Sequence, residues 1–153
     1  MTIALGLTAK LEDWFVGVLT ALEYEGELVF RTVAAVIPET GLAADNFTKY
    51  QPFAFVSYWP ADAAREGDHD LRQVLRFAIL IGAEAREAGL ARRGSTAHVG
   101  VSLMRDLVIA ALDGVDPGLE TDTCYYLGET EMLDKGKQYA TELHFKCNYT
   151  TNS

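Results

Sequence analysis

The sequence predicts an α+β domain, an antiparallel sheet with two helices packed on it, in the order α-β-β-β-α-β-β. Three observations carry this. Apolar residues recur at helical spacing over 11–22 and again within 97–112. Runs rich in β-branched and aromatic residues at 28–37 and 53–59 are each stopped by a proline. Residues 138–149 alternate with the period of a half-buried strand. At 153 residues the chain has the size of one domain, with 1–153 sharing a core, 8–149 ordered and 150–153 a flexible tail.

The first helix follows from Leu11, Trp14, Phe15, Val18, Leu19 and Leu22, which share one face, with Thr8 placed to cap it and Glu25-Gly26 closing the segment. Leu28–Ile37 is the first strand, ended by Pro38. Glu39 to Pro52 reads as a long surface loop, and long loops in compact domains tend to be functional. Phe53–Trp59 is the second strand, stopped by Pro60. Residues 71–83 fit a helix through Leu71, Val74, Leu75, Ala78 and Ile79, and a strand through Leu75, Phe77, Ile79 and Ile81. The run Phe77-Ala-Ile-Leu-Ile81 and Gly82, which would weaken a helix interior, favour the strand. A basic connection, Arg86 to Gly94, leads to Ser95 or Thr96 as cap of a second helix from about Ala97 to Leu112. That helix places Val99, Leu103, Leu107, Val108 and Ala111 on one side and His98, Ser102, Arg105 and Asp106 on the other, with Gly114 and Pro117 as stop signals.

The last third is a hairpin closed by a four-residue turn, Asp134 to Lys137. Its register sets Tyr126 opposite Phe145, Thr130 opposite Thr141, Met132 opposite Tyr139 and Cys124 opposite Cys147, all on one face. A one-residue slip would turn Glu129 and Glu131 towards the apolar face. The same register sets Glu129 against Glu142, a like-charge pair tolerable only in solvent.

Composition narrows the function classes. With 49% hydrophobic and 23% charged residues the chain is far from a disordered composition. Its net charge is −9 and its longest basic run is Arg92-Arg93, which disfavours a nucleic-acid-gripping surface and reads as simple solubility. Lys10, Glu12 and Asp13 interrupt the apolar N-terminus, no basic region precedes it, and no twenty-residue uncharged apolar stretch occurs, so no membrane segment is expected. A cytoplasmic protein follows, with Cys124 and Cys147 as thiols.

No nucleotide, zinc, nucleophile-elbow or redox motif occurs. The segment Asp62…Glu66-Gly67-Asp68-His69-Asp70 has the residue types for a hard cation or general base, but its spacing matches no EF-hand loop, and a solvated turn explains it. His69, His98 and His144 fall on three different predicted elements. His98 and Asp106 lie about 12 Å apart along a helix, too far to act together. Cys124 and Cys147 read as a buried structural pair, although Lys146 adjoins Cys147. Tyr58-Trp59 and Tyr125-Tyr126 read as strand packing rather than a base-stacking platform. The residues themselves assign no catalytic, cofactor-binding or metal site.

Taken together, Gly100-x-x-Leu103-x-Arg105-Asp106-Leu107-x-x-x-x-Leu112-x-Gly114, an acidic strand, and Gly136-x-x-Tyr139-x-x-x-Leu143-x-Phe145 resemble a family of small proteins encoded among the tail genes of Mu-like phages and prophages. The strand Phe77–Ile81 and the arginines Arg86 and Arg93 also look like that family's pattern, and the likeness covers about residues 8 to 149. The family is similar in fold to phage tail terminators. The resemblance implies a hexameric ring that caps the tail tube and joins it to the head side, made in the host bacterial cytoplasm and carried in the virion tail. It implies tail-tube and head–tail connector partners, and no catalytic residue, cofactor, metal, membrane or specific nucleic-acid partner. One departure from the pattern is the unusually apolar second helix. Two other classes stay open: a small enzyme or ligand-binding domain such as a hot-dog thioesterase, which would need Asp106 aimed into a pocket, and a general adaptor domain.

Overall fold

The computed structural model of the chain describes residues 6–36, 52–59, 63–66, 70–85, 88–94 and 100–151. Helix α1, Leu7–Thr20, buries Leu7, Leu11, Phe15 and Leu19, and Trp14, Val18 and Leu22 pack at the margin of the same stripe. The helical spacing is therefore realised as predicted. Its N-cap is Gly6 in the left-handed region rather than Thr8, which lies within the first turn.

Glu25-Gly26 does not simply end the helix. Both residues have positive φ (52° and 83°), the conformation a two-residue type I′ turn requires. They join strands β1 (Glu23–Tyr24) and β2 (Glu27–Leu28) into a short antiparallel hairpin. The predicted first strand is accordingly shorter: Val29 and Phe30 are buried in irregular backbone, and β3 covers Thr32–Ala35.

The main sheet has the order β3-β4-β6-β8-β7, where β4 is Phe53–Trp59, β6 is Asp70–Glu84, β7 is Tyr125–Lys135 and β8 is Gln138–Thr151. Strand β5, Ala63–Glu66, pairs antiparallel with the start of β6. The strand reading of 71–83 holds, and β8 extends the ordered core to Thr151, past the expected start of a flexible tail at Thr150. One pairing departs from an all-antiparallel sheet: β3 runs parallel to β4. A parallel neighbour needs a long crossover connection, and the sequence between β3 and β4, read only as a loop, is long enough to provide one. Of the predicted loop Glu39 to Pro52, all but Pro52 lies outside the described residues.

Alternation along the strands sorts the side chains into two faces. The inner face presents Phe77, Ile79, Ile81, Leu143, Phe145 and Cys147 to the helices. α1 lies over β3 and β4, and α3, Val101–Leu112, lies over β6, β8 and β7. A short helix not foreseen in the sequence, α2 (Ala88–Arg93), packs beside β8 and α3. The described part of the predicted second helix is α3, with Gly100 at its N-cap; Ser95, Thr96 and residues 97–99 lie outside the described residues. Its buried stripe is Val101, Met104, Val108 and Leu112, turned from the predicted one so that Leu103, Leu107 and Ala111 are only half-buried. The outer face carries a second apolar cluster of Phe53, Phe55, Leu80 and Ala140, in which the Phe53 and Phe55 rings stack at 4.6 Å.

The β7–β8 hairpin begins as predicted, with Tyr126 opposite Phe145, and then shifts by one residue at Tyr126/Gly128 and again at Glu131/Leu133. These bulges leave Leu127 and Met132 without a cross-strand partner. Thr130 faces Glu142 instead of Thr141, Tyr139 faces Asp134 instead of Met132, and Glu129 faces Leu143 instead of Glu142. Two extra residues also tighten the turn, which is Gly136-Lys137 with Gly136 at φ 61°, rather than the four-residue Asp134–Lys137.

Two glycines mark close approaches. A Cβ on Gly82 would lie 2.6 Å from the Phe53 ring, and one on Gly100 would lie 2.1 Å from the backbone nitrogen of Gly94. A ring can tilt; the crossing of α2 and α3 cannot yield without moving a helix. Gly82→Ala should cost about 1–3 kcal/mol through overpacking, and Gly100→Ala more than Gly82→Ala, measured by denaturant unfolding. Equal stability of Gly100→Ala and the wild type would contradict this packing.

Candidate functional site

The bulges turn Glu129 and Glu131 towards the inner face, the orientation that the simple alternation disfavours, and each finds a partner there. Arg105, on the flank of α3, donates its Nε–H to Glu129 Oε1 and its Nη1 group to Asp106 Oδ1 at 2.7 Å. Its guanidinium lies 5.9 Å from the Tyr126 ring centre. Thr141 donates to the second Glu129 oxygen at 3.0 Å, and the Tyr139 hydroxyl donates to Glu131 Oε2 at 3.1 Å. The hydrogen bond to Glu129 raises the Arg105 pKa further above its ordinary value, and burial pushes the Tyr139 phenol up to about 12, helped by the bond to Glu131. Arg105 is paired with two of the three carboxylates, Glu129 and Asp106, while Glu131 accepts from the Tyr139 hydroxyl, and the arrangement ties β7 to α3.

A second group lies on the outer face. Glu142 is buried next to the apolar cluster, and its Oε1 is 3.3 Å from His144 Nε2. Burial raises the Glu142 pKa, and His144 offsets part of that rise. The Trp59 ring meets His144 edge-on at 6.4 Å and donates its Nε1–H to Ser57 Oγ at 3.1 Å. Ser57 in turn donates to the Ala78 carbonyl at 3.5 Å, so its hydroxyl proton is committed to the sheet backbone.

Cys124 and Cys147 are both buried free cysteines, as expected. The neighbouring Cys147, with burial, holds the Cys124 thiol well above the ordinary cysteine range. Asp106 is 64% exposed and bound to Arg105, so it is not aimed into an apolar pocket as the thioesterase reading requires. Of the acidic segment, Glu66 and Asp70 face each other in the β5–β6 pairing; Asp62, Gly67, Asp68 and His69 lie outside the described residues, as does His98. Tyr58 and Tyr126 pack on Phe77 and Phe145, whereas Trp59 and Tyr125, also read as packing residues, are exposed. Among the described residues no group of three or more His, Cys, Asp and Glu side chains is arranged to hold a metal ion, and no helix is long and apolar enough to cross a membrane. No family model matches the chain, and no curated protein matches it in sequence.

Two measurements probe these groups. Glu129→Gln should cost about 1 kcal/mol by weakening the tie between β7 and α3, whereas Asp106→Asn should stay within about 0.5 kcal/mol. The reverse order in denaturant unfolding would remove Glu129 from this role. Because the folded chain holds the Glu142 proton more tightly than the unfolded one, its contribution is favourable below about pH 4 and is lost as pH rises through the folded value. Glu142→Gln should therefore raise Tm at pH 7, with the gain vanishing as pH falls to about 4. A Tm gain that persists unchanged at the lower pH would assign it to something other than the buried carboxylate.

Proposed function

We propose that this protein is a structural assembly component, a tail terminator or tail-completion protein that forms a closed ring on a phage tail tube and meets head–tail connector proteins on its other side. The observation that carries the reading is the pair of unlike sheet edges among the described residues. β3 is a four-residue strand held in parallel pairing, whereas β7 is an eleven-residue antiparallel strand whose bulges project apolar side chains, Leu127 at 44% and Met132 at 38% exposure. Unlike edges suit head-to-tail contacts, and head-to-tail contacts close into rings when the rotation between copies permits. The ties from Arg105 to Glu129 and Asp106 support the same reading, because they hold β7 to α3.

Ring closure must overcome like charge: six copies at −9 each carry −54 in all. That repulsion is long-ranged, and it weakens once the Debye length falls to about 10 Å near 0.1 M salt. Native mass spectrometry and sedimentation should find a ring of six copies at about 0.1 M salt, fewer rings at about 0.01 M, and the same ring at the tail end of assembled particles. A monomer or simple dimer in every condition, with no ring at the tail end, would overturn the proposal.

A further inference from the structure

The outer face of the sheet bears a row of four residues in direct cross-strand register: Trp59 on β4, Arg76 on β6, Lys146 on β8 and Tyr125 on β7. The inward packing of their neighbours Tyr58, Phe77, Phe145 and Tyr126 fixes them on the outer side. At about 4.8 Å per strand the row spans about 14 Å, two cations flanked by two aromatic rings. Trp59 is 42% and Tyr125 44% exposed, and Arg76 is exposed as well. Arg76 and Lys146 sit directly opposite each other, a like-charge pair that destabilises an isolated sheet. Neither has a hydrogen-bond or ion-pair partner among the described residues. In a chain with thirteen basic and twenty-two acidic residues, two cations are thus held together with nothing to neutralise them among the described residues.

The same chain carries the complement. At the β1–β2 hairpin Glu23, Glu25 and Glu27 are exposed, and none of their carboxylates has an ion-pair partner among the described residues. Leu28, directly opposite Glu23, is the most exposed large apolar residue described, at 59%. Three carboxylates around an apolar side chain match two cations between aromatic rings in both charge and polarity.

We propose that the β1–β2 hairpin of one copy docks on the Trp59–Arg76–Lys146–Tyr125 row of the next. This rests on the ring reading and names its contact. The hairpin and the row are different surfaces, so the contact is head-to-tail and propagates around a ring. Glutamates meet Arg76 and Lys146, Leu28 lies against an aromatic ring, and the like-charge strain across β6 and β8 is relieved. The contact also explains how a −9 chain assembles with itself: attraction is local and short-ranged, whereas the net repulsion is diffuse. Salt therefore acts in two stages. At about 0.1 M the diffuse repulsion is screened while contact pairs survive, and near 1 M, with a Debye length of about 3 Å, the pairs are screened too, so assembly should pass through a maximum between.

A charge swap tests it. The row-reversed variant Arg76→Glu/Lys146→Glu and the hairpin-reversed variant Glu23→Lys/Glu25→Lys/Glu27→Lys should each fold, by circular dichroism and Tm, yet lose the ring at 0.1 M salt in native mass spectrometry. Mixed in equal amounts they should regain it, because each hairpin then meets a row of opposite charge. Only even-numbered alternating rings can close in the mixture, so its masses should show equal numbers of the two variants. If the wild type forms rings and the row-reversed variant does too, or if the mixture stays unassembled, this contact is wrong while the ring reading stands. If the wild type forms no ring in solution or on particles, both fall.

Discussion

The Phe15 side chain lies fully buried beneath α1, its ring centre 4.9 Å from Phe77 on β6 and 6.2 Å from Phe145 on β8. Phe77 and Phe145 face each other in the β6–β8 register, and Tyr58 and Tyr126 extend the aromatic layer to β4 and β7. This layer commits four strands to one inward face at once. A one-residue slip in any of them would expose an aromatic ring and bury Arg76, Lys146 or Trp59 in its place, at a cost of several kcal/mol. The positions of α1 and α3, and the identity of the outward side chains, all follow from that constraint.

Fixing the register at Tyr126 and Phe145 leaves the rest of β7 free to depart from it, and it does so twice. Had the pairing run on unbroken, Glu129 would face Glu142 and the Arg105 guanidinium would lose its carboxylate on β7. The bulges replace a like-charge contact with the Arg105–Glu129 pair and two hydroxyl-to-carboxylate bonds, while setting Leu127 and Met132 free at the open edge. Bulges at a sheet edge ordinarily discourage unwanted pairing by twisting the edge away. Here they also leave an edge unlike β3, and so a molecule whose two sides are not interchangeable.

What the sequence revealed, and what it hid, divide along physical lines. α1, β4, β6 and the start of the β7–β8 pairing were legible because burial of one face imposes a period that single residues report directly. The stripe of α3 was harder. Apolar residues surround that helix almost completely, so the choice between Leu103 and Met104 as the buried position is made by the sheet beneath, not by the pattern. The β1–β2 hairpin announced itself only through Glu25-Gly26, since Glu25 is not a residue that advertises positive φ. The parallel pairing of β3 depended on a connection whose path no local pattern encodes. The polar groups at Arg105 and at Glu142 required contacts between elements distant in sequence, and the first required bulges that a strict period of two treats as errors.

The charges follow the same logic as the register. Carboxylates on β7 that turn inward are answered by Arg105, Thr141 and Tyr139, and the inward Cys124 thiol by Cys147. Outward, the balance differs: Glu142 is buried with one histidine for company, and Arg76 and Lys146 stand side by side. A chain with an excess of acidic residues could have spaced its cations among them at little cost. Instead the inward Glu129 is paired with Arg105, whereas the outward Arg76 and Lys146, and the glutamates of the β1–β2 turn, have no ion-pair partner among the described residues. Unpaired charges of opposite sign on two different surfaces are what a self-assembling contact requires, because charges satisfied within the monomer have nothing to offer a neighbour. The proposed docking contact rests on that asymmetry.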